Sequence, residues 1–555
     1  MFASAPPPRR SAGLRLLEPG RARRRRHRRR PAPILLLALV ALVVGAGATV
    51  AVVRHHHAAD QRRAVAERFL RAWARGDRRT MWAQLDARAR AATPLVRFER
   101  LYDAAGRAAT QTAVRVGAVG PLRRGVVAAP VAVATRELGT LSGTIALPVH
   151  AEDGGARVAW TPRLRLPGLR AGEGVRRVAR NAPQRASVLA ADGTLLGADP
   201  ATAALAGRPP TAGDPGSGLE RLYDARLAGR PTVELRFGAR VVARVPGRPS
   251  HAVRATIQPG LQRAAAAALG SRLGGVAVLR PRDGSVLALA GLAVSAPQPP
   301  GSTFKIVTLA GALQAGLATP ASRYPVRTFA TLSGVKLRNA GDEACGGTLA
   351  QAFASSCNSV FAPLGARLGA QRLTRVATAF GFGERPPVPA ARVSAITPPA
   401  RLRDDLAVGA SAIGQAEDLA TPLQMATVAG AIGAHGLRAR PRVVRSEPVV
   451  RRRAASARVA RQVRTMMLGV VRGGTGTAAA IPGVQVAGKT GTAELRSTVG
   501  TTGGREDPKN TDAWFVAFAP ASAPRVAVAV MLVGAGAGGR AAAPIARAVL
   551  LAALR

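Results

Sequence analysis

Apolar residues follow a different rule in each stretch of this 555-residue chain. Residues 34–53 form an unbroken run of 20 uncharged positions, mostly Leu, Ala, Val and Gly. Such a run is long enough to cross a bilayer as a helix. Over residues 66–74 the pattern becomes helical, with Phe69, Leu70 and Trp73 on one face, and it stops at Gly76-Asp77. A second short helix is predicted over 81–85. Alternation with a period of two then predicts strands over 112–116, 126–134, 144–149 and 156–160. Residues 170–252 are rich in Gly, Pro and Arg, with short strands predicted over 186–189, 233–237 and 241–245. Ala191-Asp192-Gly193 fits a hairpin turn. Further on, a helix is predicted over 261–273 and a strand pair over 275–279 and 286–289. After the break at Pro299-Pro300-Gly301, the positions Phe304, Ile306, Val307, Leu309 and Leu313 read as a buried helix. A strand over 526–533 and a closing helix over 541–554 complete the pattern.

The length allows two to four domains, and a hydrophobic share of 47% is ordinary for globular proteins. The net charge of +50 is not ordinary. It raises nucleic acid as a partner, but location argues against that. Residues 1–33 hold eleven arginines and one glutamate, so a basic cytoplasmic tail precedes the apolar run. That asymmetry leaves the N-terminus inside and the rest of the chain outside. The remaining positive surface then faces anionic headgroups and acidic wall polymers, or simply solvent. A cleavable signal peptide ending near Ala46-Gly47-Ala48 is the rival to an uncleaved anchor. The continuation of the apolar run past Ala48 favours the anchor. His55-His56-His57 reads as interfacial filler rather than a metal site, and no His/Cys ligand set suggests a metal.

Candidate chemistry centres on Ser302. Lys305 follows at i+3, on the same helical face. A serine hydroxyl needs a neighbouring base to become a nucleophile. A lysine serves as that base once burial or nearby positive charge makes it neutral. Only four of the 80 cationic residues are lysines: Lys305, Lys336, Lys489 and Lys509. Arginine carries the charge elsewhere and cannot act as a base. A lysine at 305, against that bias, points to a need for an amine. Two further stretches add to it. Ser355-Ser356-Cys357-Asn358 contains Ser-x-Asn. Gly488-Lys489-Thr490-Gly491-Thr492 contains Lys-Thr-Gly and uses the third of the four lysines.

Ser-x-x-Lys, Ser-x-Asn and Lys-Thr-Gly in this order resemble the signatures of penicillin-recognising serine enzymes. The intervals from Ser302 to Ser356 and from Asn358 to Lys489 suit that fold. Gly414-Gln415 with Thr421-Pro422-Leu423-Gln424, and Trp514-Phe515-Val516, are similar to further penicillin-binding protein segments. Gly218-Leu219-Glu220 with Tyr223 and Leu227-Ala228-Gly229 resembles the pedestal of the class B members, which are transpeptidases only. Residues 68–77 resemble the opening of nuclear-transport-factor-2-like α+β cones, found in some Gram-positive class B proteins including methicillin-resistance types. The resemblance implies a multidomain chain. Its parts are a tail (1–33), a single transmembrane helix (34–53), a cone-like α+β spacer (58–165), an elongated β-rich pedestal (170–252) and an α/β transpeptidase domain (253–555). The last shares its fold with serine β-lactamases, a five-stranded antiparallel sheet flanked by helices.

The resemblance also implies roles. Ser302 attacks the D-alanyl-D-alanine end of a peptidoglycan stem peptide, with Lys305 as base. Ser356, Asn358 and Lys489 complete the catalytic set. Lys489, Thr490, Gly491 and Thr492 bind the substrate, the lysine charged and facing its terminal carboxylate. β-Lactams acylate the same serine. No metal or organic cofactor is implied, and a partner glycosyltransferase of the elongation or division machinery is. A D,D-carboxypeptidase, a β-lactamase and a non-catalytic β-lactam sensor share the motifs and stay open. Cys345 and Cys357, close together in the sequence, are either a disulfide bracing the site or two small buried residues. The polar, Gly-rich residues 496–511 read as a loop, either gating the cleft or an ordinary surface loop.

Overall fold

The computed structural model describes residues 34–152, 154–494 and 508–555, with side chains described from residue 54 onward except Pro508. The basic tail and residues 496–507 of the expected loop lie outside the described residues. So do the side chains of the expected membrane segment, although its backbone belongs to a helix. Among the described residues no helix is long and apolar enough to cross a membrane. The chain divides into two compact units. One comprises the residues through Val178 together with Val233–Val245, and the other Ala179–Thr232 together with Pro246–Arg555.

In the first unit the helix expected at 66–74 is the end of a 42-residue helix, α1 (Ile34–Arg75). It stops where Gly76 takes φ +77°. Asp77 then caps α2 (Arg78–Ala83) by accepting from Thr80 N–H, and Asp86 caps α3 (Ala87–Ala92) by accepting from Ala89 N–H. The amphipathic α4 (Leu95–Ala109) was not anticipated; it buries Phe98, Tyr102, Ala105 and Ala109 along one stripe. The strands are β1 (Gln111–Val116), β2 (Leu122–Arg123), β3 (Val126–Thr135), β4 (Thr140–Glu152) and β5 (Gly155–Val158). They form an antiparallel sheet in the order β1-β3-β4-β5, with β2 beside β3. Val127, Ala129, Val131 and Val133 of β3 all point into the core, as period-two alternation requires. The expected pedestal, 170–252, is divided between the units. Its sheet of β6 (Val175–Arg180), β8 (Thr232–Phe237) and β9 (Arg240–Val245) adds Leu235 and Phe237 to the first unit's core.

The rest of that segment belongs to the second unit. There β7 (Val188–Leu189) pairs in parallel with β10 (Val253–Arg254). Short helices α5 (Pro200–Ala206), α6 (Gly218–Leu222) and α7 (Asp224–Ala228) follow. Arg185 bonds both Glu220 and Asp224, and Tyr223 bonds Glu447. The main sheet runs β12-β11-β21-β20-β19, antiparallel throughout. Its strands are β11 (Gly274–Leu279), β12 (Val286–Gly291), β19 (Ala487–Glu494), β20 (Thr511–Ala519) and β21 (Val526–Leu532). Every residue of β11, β20 and β21 is buried, and apart from Thr511 and Asp512 at the start of β20 these strands read as near-continuous apolar runs. Alternate side chains serve two cores. Val276, Val278, Phe515, Val528 and Val530 pack with α8 (Pro259–Leu269) and α16 (Gly538–Leu554). Ala277, Leu279, Trp514, Val516, Ala527 and Met531 pack with α9 (Lys305–Gln314) and α14 (Pro422–Gly433).

The helices α10 (Leu349–Ala354), α11 (Asn358–Leu368), α12 (Ala370–Ala379), α13 (Asp405–Ala412) and α15 (Ala457–Gly473) surround the second core. Four short strands lead into α10: β13 (Arg323–Arg327), β14 (Phe329–Leu332), β15 (Val335–Arg338) and β16 (Cys345–Thr348). A two-stranded ribbon of β17 (Leu437–Ala439) and β18 (Arg451–Arg453) precedes α15.

Candidate active site

Two glycines let three segments meet around Ser302. Gly301 has φ +50°, and a Cβ there would lie 2.8 Å from Thr492 O on β19. Gly414, just beyond α13, has φ +74°, and its Cβ would lie 2.2 Å from Gly301 O. Gly301 N–H donates to Gly414 O at 2.9 Å. The Thr303 hydroxyl closes the turn on Pro300 O at 2.6 Å. Ser302 was expected to open an α-helix; it sits instead in a 3₁₀ turn (Gly301–Phe304), and α9 starts at Lys305. Three residues per turn bring positions 302 and 305 onto one edge.

Lys305 is wholly buried. Its Nζ donates to Ser356 O at 2.7 Å and to Asn358 Oδ1 at 2.6 Å, and reaches Ser356 Oγ at 3.4 Å. Among the described residues no hydrogen bond joins it to Ser302, in keeping with the looser geometry of unliganded sites. The Phe361 ring lies 5.7 Å from Nζ. Burial first, and the charge of Lys489 second, hold the Lys305 amine well below the ordinary lysine range.

Lys489, also wholly buried, donates to Ser356 Oγ at 2.8 Å and Thr490 O at 3.0 Å. Burial lowers it to about 7. The Ser356 hydroxyl therefore stands between two amines. Its backbone is held at φ +61°, a conformation non-glycine residues avoid. Among the described residues no carboxylate pairs with either amine, so two ammonium groups sharing one hydroxyl would repel; at least one neutral amine is favoured, and a proton can pass between them through Oγ.

The strands before α10 hold this loop. Asn358 Nδ2 donates to Arg338 O at 2.8 Å, at the end of β15. Asn339 Nδ2 donates to Arg327 O and Glu343 O, and Asn339 Oδ1 accepts from Ser359 N–H. Cys345 on β16 and Cys357 are joined as a disulfide, with Cα atoms 5.8 Å apart. Of the two sequence readings for this pair, the bridged one is the one found.

β19 is the last strand of the sheet, so one row of its backbone groups faces the Ser302 turn rather than another strand. Gly491 permits the approach: a Cβ there would lie 2.9 Å from both Thr303 Cγ2 and Trp514 Cβ. Thr492 is half-buried beside Gly301, and Thr490 is buried. Lys489 was expected to be charged and to face a substrate carboxylate. Its amine is buried, is drawn toward neutrality and is already bonded to Ser356. Thr475 was missed. This exposed residue holds its hydroxyl 2.6 Å from Thr490 Oγ1. It is pinned by glycines: a Cβ on Gly474 would lie 2.5 Å from Ala354 O, and one on Gly539 would lie 2.3 Å from Thr475 O. The run Gly473-Gly474-Thr475-Gly476 ahead of β19 was the available signal.

The assembly is a half-buried serine, two amines able to lose their protons, a bridging hydroxyl, and threonine hydroxyls suited to an anion. A family model for the penicillin-binding protein transpeptidase domain matches residues 274–551. The chain is 37% identical over 409 residues to the peptidoglycan D,D-transpeptidase PbpA of Mycolicibacterium smegmatis, a match that covers 61% of this chain and 80% of that protein. It is 39% identical over 298 residues to the PbpA of Mycobacterium tuberculosis strain H37Rv, covering 49% of this chain and 58% of that one. Penicillin-binding protein A of M. tuberculosis, solved as its penicillin G acyl-enzyme complex, superposes with a TM-score of 0.57 at 30% identity. That match covers 67% of this chain and all of the other.

Proposed function

The chain belongs to the penicillin-binding protein transpeptidase family, and from that premise we propose that it is a class B peptidoglycan D,D-transpeptidase acylated by β-lactams at Ser302. The observation that carries this reading is the Ser356 hydroxyl held between the Lys305 and Lys489 amines beside the Ser302 turn. Ser302 Oγ attacks the carbonyl of the penultimate D-alanine while neutral Lys305 takes its proton. The Ser302 and Thr492 N–H groups receive the oxyanion. The amide bond breaks, and D-alanine leaves with a proton delivered through Ser356. An amine from a neighbouring stem peptide then attacks the ester, which forms the cross-link and frees Ser302.

Asn358 orients Lys305. Lys489 tunes Ser356, and its hydrogen bonds leave the substrate's terminal carboxylate to Thr490, Thr492 and Thr475. The residues 34–53 anchor the chain in the membrane with the tail of 1–33 inside. The first unit, with its helices and antiparallel sheets, acts as the nuclear-transport-factor-2-like spacer, and 170–252 acts as the pedestal. The partners are stem peptides, β-lactams and a glycosyltransferase of the elongation or division machinery.

The test is intact mass of the purified chain with penicillin over hours, with Ser302→Ala alongside. A lasting single adduct on the wild type alone supports the reading. Fast penicillin loss without an adduct makes it a β-lactamase. With a D-Ala-D-Ala stem peptide and an acceptor amine, hydrolysis without cross-link makes it a carboxypeptidase.

A further inference from the structure

The first unit gathers two arginines around one buried phenol. Tyr102 on α4 is 2% exposed and is ringed by Trp73, Phe98 and Trp160, with ring centroids 4.9–6.2 Å away. The Arg78 guanidinium, from the start of α2, stacks 5.0 Å over the Tyr102 ring. Arg165, in the turn after β5, is 8% exposed and spends its Nε on Pro162 O. Both cations act on the Tyr102 hydroxyl, which accepts from Trp160 Nε1 at 3.2 Å and donates to Leu164 O at 3.4 Å.

Donors outnumber acceptors in this cluster. Arg78 Nε is buried without a partner, and so is the indole Nε1 of Trp73, itself 1% exposed. Arg78 Nη1 has only the Met81 sulfur, at 3.6 Å. Among the described residues neither Arg78 nor Arg165 has a carboxylate within ion-pair distance. Arg78 as a whole is half-buried, and the arginines buried as deeply as Arg165 are better provided: Arg438 pairs with Glu384, and Arg442 with Asp283. A guanidinium cannot shed its proton, so a buried one needs a counter-charge. Helix ends, a strand end and a turn, far apart in sequence, bring these donors together.

We propose that this cluster is a binding site for a small oxyanion, a carboxylate or a phosphate-like group, held by Arg78 and Arg165 against the Tyr102–Trp73–Trp160 wall. A guanidinium fork matches the oxygens of such a group two at a time. The site is separate from the Ser302 centre and independent of the reaction assigned there.

The test uses the full chain in detergent and its tryptophan fluorescence, because Trp73 and Trp160 line the site. Sulfate and acetate are titrated separately at constant ionic strength set with chloride; sulfate stands for tetrahedral anions and acetate for carboxylates. A saturable change with either anion is expected, and the better of the two identifies the source chemistry. Arg165→Gln and, independently, Arg78→Gln should weaken binding about tenfold or more. The exposed control Arg88→Gln should leave it unchanged. Penicillin acylation should be the same in all three variants, which keeps this result separate from the fate of the transpeptidase reading. Arg165→Met should also raise the melting temperature without anion, as removal of an uncompensated buried charge does. Overturning results are the absence of any saturable response to both anions, or a response that Arg78→Gln and Arg165→Gln leave intact.

Discussion

Two regions of this molecule enclose positive groups that have no carboxylate partner among the described residues, and they answer the cost in opposite ways. Around Ser356 the cations are lysines, and burial drives both toward the neutral amine. Around Tyr102 they are arginines, which stay charged: Arg165 is buried, and half-buried Arg78 stacks on the Tyr102 ring. The first arrangement yields groups that can accept a proton. The second yields a standing positive field that can only be answered from outside. In a chain so rich in arginine, the choice of lysine at 305 and 489 is therefore chemical rather than compositional.

Exchanging the cations tests the contrast most severely. Lys305→Arg should lower the rate of penicillin acylation by about 10²–10⁴-fold, the usual worth of a general base, because guanidinium cannot take the serine proton. Near-normal acylation by intact mass would break the comparison. The reverse exchange sharpens it: Arg165→Lys should keep sulfate binding near neutral pH and lose it as pH rises, whereas the wild type should hold its affinity from pH 6 to 9. Fluorescence titration at several pH values reads this directly.

Stability against pH separates the regions more gently. The folded-state pKa of Lys489, about 7, lies below its unfolded value of about 10.4. Between these values the unfolded chain binds more protons, so stability rises with pH. The penalty is fully present below about pH 7 and fades as pH approaches the unfolded value. Lys489→Met should flatten that slope in urea titrations at pH 6–10; an unchanged slope would contradict the burial argument.

Smaller still is the effect of a neutral hydrogen bond. Thr475→Val should reduce acylation efficiency about tenfold, mainly through weaker binding, and Thr475→Ser should restore it. Equal loss in both variants would make Thr475 a packing residue. Breaking the Cys345–Cys357 bridge by double serine substitution should cost about 3 kcal/mol of stability by loop-entropy reasoning, measured by denaturant unfolding.

What could be read from the chain beforehand was whatever a short window carries. Ser302, Lys305, Ser356, Asn358, Lys489 and Thr490 announce themselves through fixed local spacing, the strands around residues 126–135 through alternation, and those around 274–291 through short apolar runs. What escaped was set by distant neighbours. The burial of Lys489 depends on Phe353 and Ser356, which stand far earlier in the chain. Thr475 gains meaning only from the strand it touches. Arg78 and Arg165 look like two more surface arginines until the fold brings both to Tyr102. The 3₁₀ turn at Ser302 arises from Gly414 and Thr492 pressing on Gly301, contacts that no helix periodicity encodes.

The first unit is not a detachable prefix. Its core takes Leu235 and Phe237 from β8, beyond an excursion of the chain through the second unit. A ribosome must therefore deliver residue 245 before that unit can close, roughly 3–13 s after residue 178 emerges at ordinary translation rates. In the interval the sheet face that will receive β8 stays open to chaperones and proteases. For the same reason, a protease that nicks the chain once near residue 170 separates no whole module, and a recombination event at that point would carry away a unit lacking part of its own core.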